Sequence, residues 1–125
     1  MLMLVHLPFQ STDHGLVCDR VSVESIVERV GTPVYIYSAL AIRSAYHALD
    51  DAFASYPHTI HYALKANSTL AIVRLLRSLG SKVDANSSGE IQVAQRVGFL
   101  PAEIVFTGVG KARGELEYAI ANGIA

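Results

Sequence analysis

Between Ile60 and Gly123 the chain repeats one design: a short β-branched or aromatic run, a loop, and an amphipathic segment of helical period that stops at a glycine. The runs centre on Tyr62, Val83 and Val105, so successive centres stand 21 and 22 residues apart with one helical segment between each pair. That separation is too long for a hairpin and fits a helical crossover, so it predicts successive parallel βα units. The strands expected are Ile60 to Leu64 (IHYAL), Lys82 to Ala85, and Glu103 to Phe106 (EIVF). The helices that follow place Ile72, Leu75, Leu76 and Leu79, then Ile91, Ala94 and Val97, then Leu116, Ala119 and Ile120 on one face. They end at Gly80, Gly98 and Gly123. Three units in series suit either a barrel or a doubly wound sheet. An eight-unit barrel typically takes about 250 residues, and 125 residues supply less than half of one. The expectation is therefore an N-terminal piece of a larger protein.

Upstream of the repeat the pattern is looser. Residues 1–37 read as a lead-in segment with a short helix and strand, and 38–125 as the first βα units of the barrel or sheet. The opening twenty residues hold the turn formers Gln10 to Gly15 (QSTDHG) and no helical period, so regular structure is expected to begin at Ser22. Ser22 can cap a helix bearing Val23, Ile26, Val27 and Val30, with Gly31 at its end. Val34 to Tyr37 (VYIY) reads as a strand. Ser38 is the next cap, before a helix with Ile42, Ala45, Tyr46, Leu49 and Phe53 on one face.

Composition excludes several function classes. Ten basic residues stand against eleven acidic ones, which leaves no footprint for nucleic acid. No apolar run approaches the roughly 18 to 20 residues of a membrane span, and the opening MLMLVHLPF lacks the basic n-region of a secretory leader. A lone cysteine, Cys18, cannot form an internal disulfide, so a cytoplasmic location is expected. The five histidines show no ligand spacing, and no metal is expected.

In parallel α/β folds reactive groups gather where strands end and loops begin. Three such ends occur here: Lys65 to Ser68 (KANS), Asp84 to Glu90 (DANSSGE) and Thr107 to Lys111 (TGVGK). A lysine directly after a buried strand sheds part of its hydration, which favours the amine lone pair that attacks a carbonyl. The bland alternative for Lys65 is a side chain reaching into water. Asp84 can hold a cationic amine by a charge-assisted hydrogen bond, or serve as a turn former. Ser87 and Glu90 have the S-x-x-E spacing of a capping box. TGVGK lacks the glycine and hydroxyl spacing of a nucleotide phosphate loop.

Laid out in order, GTPVYIYS (Gly31 to Ser38), HYALKANSTLAIVRLL (His61 to Leu76), VDANSSGEI (Val83 to Ile91) and IVFTGVGK (Ile104 to Lys111) resemble the fold type III pyridoxal-phosphate decarboxylases. Within that family the chain is most similar to the enzymes acting on diaminopimelate. The resemblance runs from about Val21 onward and is specific through the combination YALKAN, D-x-x-S-x-G-E and FTG-x-x-K. It implies the N-terminal portion of a (β/α)8 TIM-type barrel of the alanine racemase-like kind. It implies pyridoxal 5'-phosphate as cofactor, Lys65 as the catalytic lysine carrying it as a Schiff base, and Asp84 as a cofactor-binding residue. It implies decarboxylation of meso-2,6-diaminopimelate to L-lysine, with arginine, ornithine or carboxynorspermidine as alternative substrates, and a homodimer for the full-length form. Ser88 stands where the family commonly has glycine. The phosphate-binding and ring-binding groups of the family fall outside residues 1–125, so this piece alone is expected to be inactive.

Overall fold

The computed structural model describes residues 7–124. His6 and most of the apolar opening MLMLVHLPF lie outside the described residues, as does Ala125. The fold divides into two compact units, one reaching to Ala48 and one beginning at Leu49.

The first unit opens with a three-stranded antiparallel meander: β1 (Phe9–Thr12), β2 (Gly15–Cys18) and β3 (Val21–Ser22). Regular structure therefore begins at Phe9 rather than Ser22. The turn formers of QSTDHG are partly strand and partly a two-residue hairpin turn at Asp13 and His14, closed by Thr12 Oγ1 donating to the Gly15 carbonyl at 2.8 Å. All four residues of β1 are exposed, so its sequence carries no alternation that would betray a strand. The β2–β3 turn places Asp19 (φ 49°) and Arg20 (φ 70°) in the left-handed region, as a type I′ hairpin turn requires.

Ser22 caps α1 (Val23–Val30) through Oγ, which accepts from Ser25 N at 3.3 Å. Gly31 (φ 81°) ends the helix. The VYIY run is not a strand: it makes no ladder among the described residues, and Tyr35 is 87% exposed. Strand propensity here finds no partner to pair with. Ser38 caps α2 (Ala39–Phe53), accepting from Ala41 N at 2.9 Å.

The second unit contains the predicted repeat: β4 (His61–Ala63), α3 (Leu70–Ser78), β5 (Lys82–Ala85), α4 (Ser88–Val97), β6 (Ile104–Phe106) and α5 (Arg113–Ala121). The strands are parallel in the order β4-β5-β6, with Ala63 opposite Asp84 and Ala85 opposite Phe106. β4 is shorter than IHYAL because Leu64 to Ala66 turn into a 3-10 helix. Side chains alternate across a strand, so Val83, Ala85 and Ile104 share the face where they are buried with Ile91 and Ala94 of α4. Ala63, Asp84 and Val105 share the other.

The helices differ from expectation in detail. α3 buries Ile72, Val73 and Leu76, so its core face is rotated away from Leu75 and Leu79. α4 buries Ile91, Ala94 and Val97 as expected. α5 buries only Ala119, while Leu116 and Ile120 are 43% and 76% exposed. α5 packs against α4.

Candidate functional site

Parallel register brings the C-terminal ends of β4, β5 and β6 to one rim of the sheet. At the first end the chain leaves β4 through the 3-10 turn that carries Lys65. Leu64 is buried beneath the turn, and Lys65 points into solvent. The expected desolvation of Lys65 is therefore not met here, because the turn lifts it clear of the strand. Its amine has no hydrogen-bond or ion-pair partner among the described residues. The loop beyond it is held by Tyr62, whose hydroxyl donates to the Asn67 carbonyl at 3.0 Å, and by Asn67 Oδ1, which accepts from Thr69 N at 2.9 Å.

At the second end stands Asp84, half-buried on the sheet face that α4 does not cover. Its Oδ1 accepts a hydrogen bond from Thr107 Oγ1, which belongs to the third end. Thr107 Oγ1 in turn accepts from Asn86 Nδ2 at 2.7 Å. Thr107 and Asn86 lie within the TGVGK and DANSSGE stretches, whose local patterns assign neither a role. Only the strand register shows that residues 21 and 23 apart meet at the rim.

The expected capping box is present in altered form. Ser87 Oγ accepts from Glu90 N at 3.2 Å, but the Glu90 carboxylate reaches past Ser87 to accept from Asn86 N at 2.7 Å. Glu90 thereby anchors the backbone of the residue whose side chain touches Thr107. Gly108 (φ 106°) is also tied to this arrangement, because a Cβ there would lie 3.3 Å from Asn86 Nδ2.

Lys111, at the end of TGVGK, is occupied. Its Nζ donates to the Gly108 carbonyl at 2.6 Å and lies 4.8 Å from the centre of the Phe106 ring. Glu115, on α5, accepts from Ala112 N at 3.1 Å and from Ser88 N at 3.2 Å. These backbone bonds, Ala112 first, hold its carboxyl below the usual glutamate range, and the Lys111 charge adds to them against a smaller opposing effect of desolvation. The thiol of Cys18, in the first unit, is pushed up by burial and by the charge of Asp19, which disfavours the reactive thiolate. No group of metal-ligating side chains occurs among the described residues.

The assembled rim has a free amine, a carboxylate held at one oxygen and a polar relay joining two strand ends. Comparison with known proteins identifies the same family throughout. Over 116 residues the chain is 40% identical to diaminopimelate decarboxylase of Pseudomonas aeruginosa, covering 93% of this chain and 28% of that protein. It thus spans about a quarter of the length of that relative. Crystal structures agree: diaminopimelate decarboxylase of M. jannaschii in co-complex with L-lysine superposes with a TM-score of 0.86 at 31% identity, covering 98% of this chain and 30% of that one. A lysine/ornithine decarboxylase of Vibrio vulnificus complexed with putrescine gives a TM-score of 0.74 at 30% identity, covering 82% and 28% respectively. Residues 40–125 match the family model described as pyridoxal-dependent decarboxylase, pyridoxal binding domain, and the chain belongs to that family.

Proposed function

We propose that this chain supplies the lysine-bearing rim of a pyridoxal-phosphate-dependent decarboxylase that converts meso-2,6-diaminopimelate to L-lysine. The observation that carries the reading is the contrast between two rim amines: Lys111 is held by a carbonyl and a ring, while Lys65 is exposed and unpartnered among the described residues. A free primary amine is what an aldehyde cofactor requires, so the residues present fit the aldehyde end of pyridoxal phosphate. Lys65 would hold the cofactor covalently through Nζ. Asp84 would hold a cationic nitrogen beside it, since Oδ2 has no hydrogen-bond partner among the described residues. When bound, the cofactor supplies an electron sink for the pair left on the α-carbon as carbon dioxide departs.

Diaminopimelate is favoured as substrate by the 40% identity to the Pseudomonas aeruginosa enzyme. The likeness to the lysine/ornithine decarboxylase supports a second reading, in which another basic amino acid is the substrate. A cytoplasmic location goes with the free, buried Cys18. No helix among the described residues is long and apolar enough to cross a membrane. A homodimer is part of the proposal through the resemblance to the family.

The test uses the intact protein purified from its source. It is incubated with pyridoxal phosphate, reduced with borohydride and mapped by peptide mass, and separately offered diaminopimelate, ornithine, arginine and carboxynorspermidine. The expected result is one pyridoxyl group on Lys65 and lysine formed from diaminopimelate alone. Label spread evenly over Lys65, Lys82 and Lys111 would overturn the cofactor assignment, and consumption of ornithine in preference to diaminopimelate would install the second reading.

A further inference from the structure

Thr107 joins two strand ends, and the direction of its hydrogen bonds is set by chemistry. An ionised carboxylate only accepts, so the single proton of the Thr107 hydroxyl must go to Asp84 Oδ1. The hydroxyl oxygen then has only acceptor capacity left, and the amide Nδ2 of Asn86 fills it at 2.7 Å. Asn86 has little freedom to do otherwise. Its backbone N–H is fixed by Glu90, and Gly108, the residue after Thr107, packs so close to its amide that a Cβ there would lie 3.3 Å from Nδ2. The polarity therefore runs one way, from amide to hydroxyl to carboxylate, and ends on an oxygen of Asp84 whose twin is free among the described residues.

We propose that Thr107 is a positioning residue of the rim: its hydroxyl, oriented by Asn86, fixes the Asp84 carboxylate so that Oδ2 is presented to a cationic nitrogen bound beside Lys65. The inference rests on the proposed cofactor site and deepens it. Threonine suits the task because its β-branched side chain leaves few rotamers for the hydroxyl to explore.

The experiment compares Thr107→Val, which keeps the shape and removes the hydroxyl, with Thr107→Ser, which keeps the hydroxyl. Each is made in the intact protein, alone and with Asp84→Asn. The readout is the pyridoxal phosphate concentration needed for half-maximal borohydride trapping at Lys65, with circular dichroism as a check on folding. Thr107→Val should raise that concentration about ten-fold, the scale of a lost hydrogen bond to a charged group, and Thr107→Ser should stay within about two-fold of the unmodified protein. With Asp84→Asn in place, the Thr107→Val effect should largely vanish, because a residue acting through Asp84 has nothing left to orient. A general structural role would leave the effect intact in both backgrounds. Should Thr107→Val fail to fold, Asn86→Ala replaces it, with a loss that also disappears when Asp84→Asn is present. Trapping by Thr107→Val equal to that of the unmodified protein, or a loss undiminished by Asp84→Asn, overturns the inference. Absence of trapping at Lys65 in the unmodified protein overturns the proposed cofactor site itself, which separates the two failures.

Discussion

Lys65 and Lys111 stand on the same rim, and the difference between them is whether the amine is already engaged. The Gly108 carbonyl and the Phe106 ring hold Lys111, so exchange of its partners for an aldehyde costs a charge-assisted bond. Lys65 gives up only water. Lys65→Ala in the intact protein is expected to abolish the pyridoxyl adduct, whereas Lys111→Ala should retain it, as peptide mass mapping after borohydride reduction would show. Glu115 offers a second prediction at this scale. Its carboxyl is held below the ordinary value of 4.5 in the folded state, mainly by the Ala112 and Ser88 amides. A depressed carboxyl contributes stability that is fully present above the ordinary value and is lost as the pH falls through the folded one. Glu115→Gln should therefore lower stability near neutrality and converge with the parent protein in acid below that range. Urea midpoints measured from pH 7 down to pH 3 check this, and a constant difference across the range would refute it.

At the scale of elements, α4 shows which forces dominate. Its Ser87 cap is worth about 1 kcal/mol, whereas truncating a fully buried aliphatic side chain such as Ile91 costs roughly 2–5 kcal/mol. Ser87→Ala should accelerate amide exchange about five-fold in the first turn of α4 only. Ile91→Ala should loosen β5 and β6 as well, because Ile91 shares their core. The same distinction explains what was legible in the sequence. The β5 span and the Ile91, Ala94, Val97 face were readable because burial imposes a period on the residues that meet the core. The β1–β2 hairpin was not, since β1 is exposed on both faces and leaves no alternation to read. The VYIY run misled because propensity reports fitness for a sheet, not the presence of a neighbouring strand. Leu116 and Ile120 share a helical face with Ala119, yet α5 buries only Ala119. Lys65 and Asp84 stand out in the sequence through the motifs around them, whereas the Thr107 bridge to Asp84 depends on register, which no local pattern encodes.

For the whole molecule, the second unit presents a parallel sheet whose core lies on one face. Parallel sheets in folded proteins are almost always covered on both, and here β4 and β6 are edge strands among the described residues. Val105, 38% exposed on the other face, marks the uncovered surface. If residues 1–125 are produced alone, they should self-associate through that face and those edges. Sedimentation velocity should show species heavier than 13.5 kDa, and Val105→Lys should shift the distribution toward that mass. A monomer unaffected by Val105→Lys would show that the surface is not sticky.

The pairing of Ala63 with Asp84 and of Ala85 with Phe106 also limits where the chain length can change. One residue inserted within β5 would exchange the sides taken by Asp84 and Ala85, sending a carboxylate into the packed layer and a methyl to the rim. The turn at the opposite end of the strands around Gly80 sets no such phase, whereas the one after Gly98 carries the buried Phe99. Natural length variants and engineered tags should therefore be tolerated at the Gly80 turn and rejected inside the strands, which makes that turn the practical place to attach a reporter.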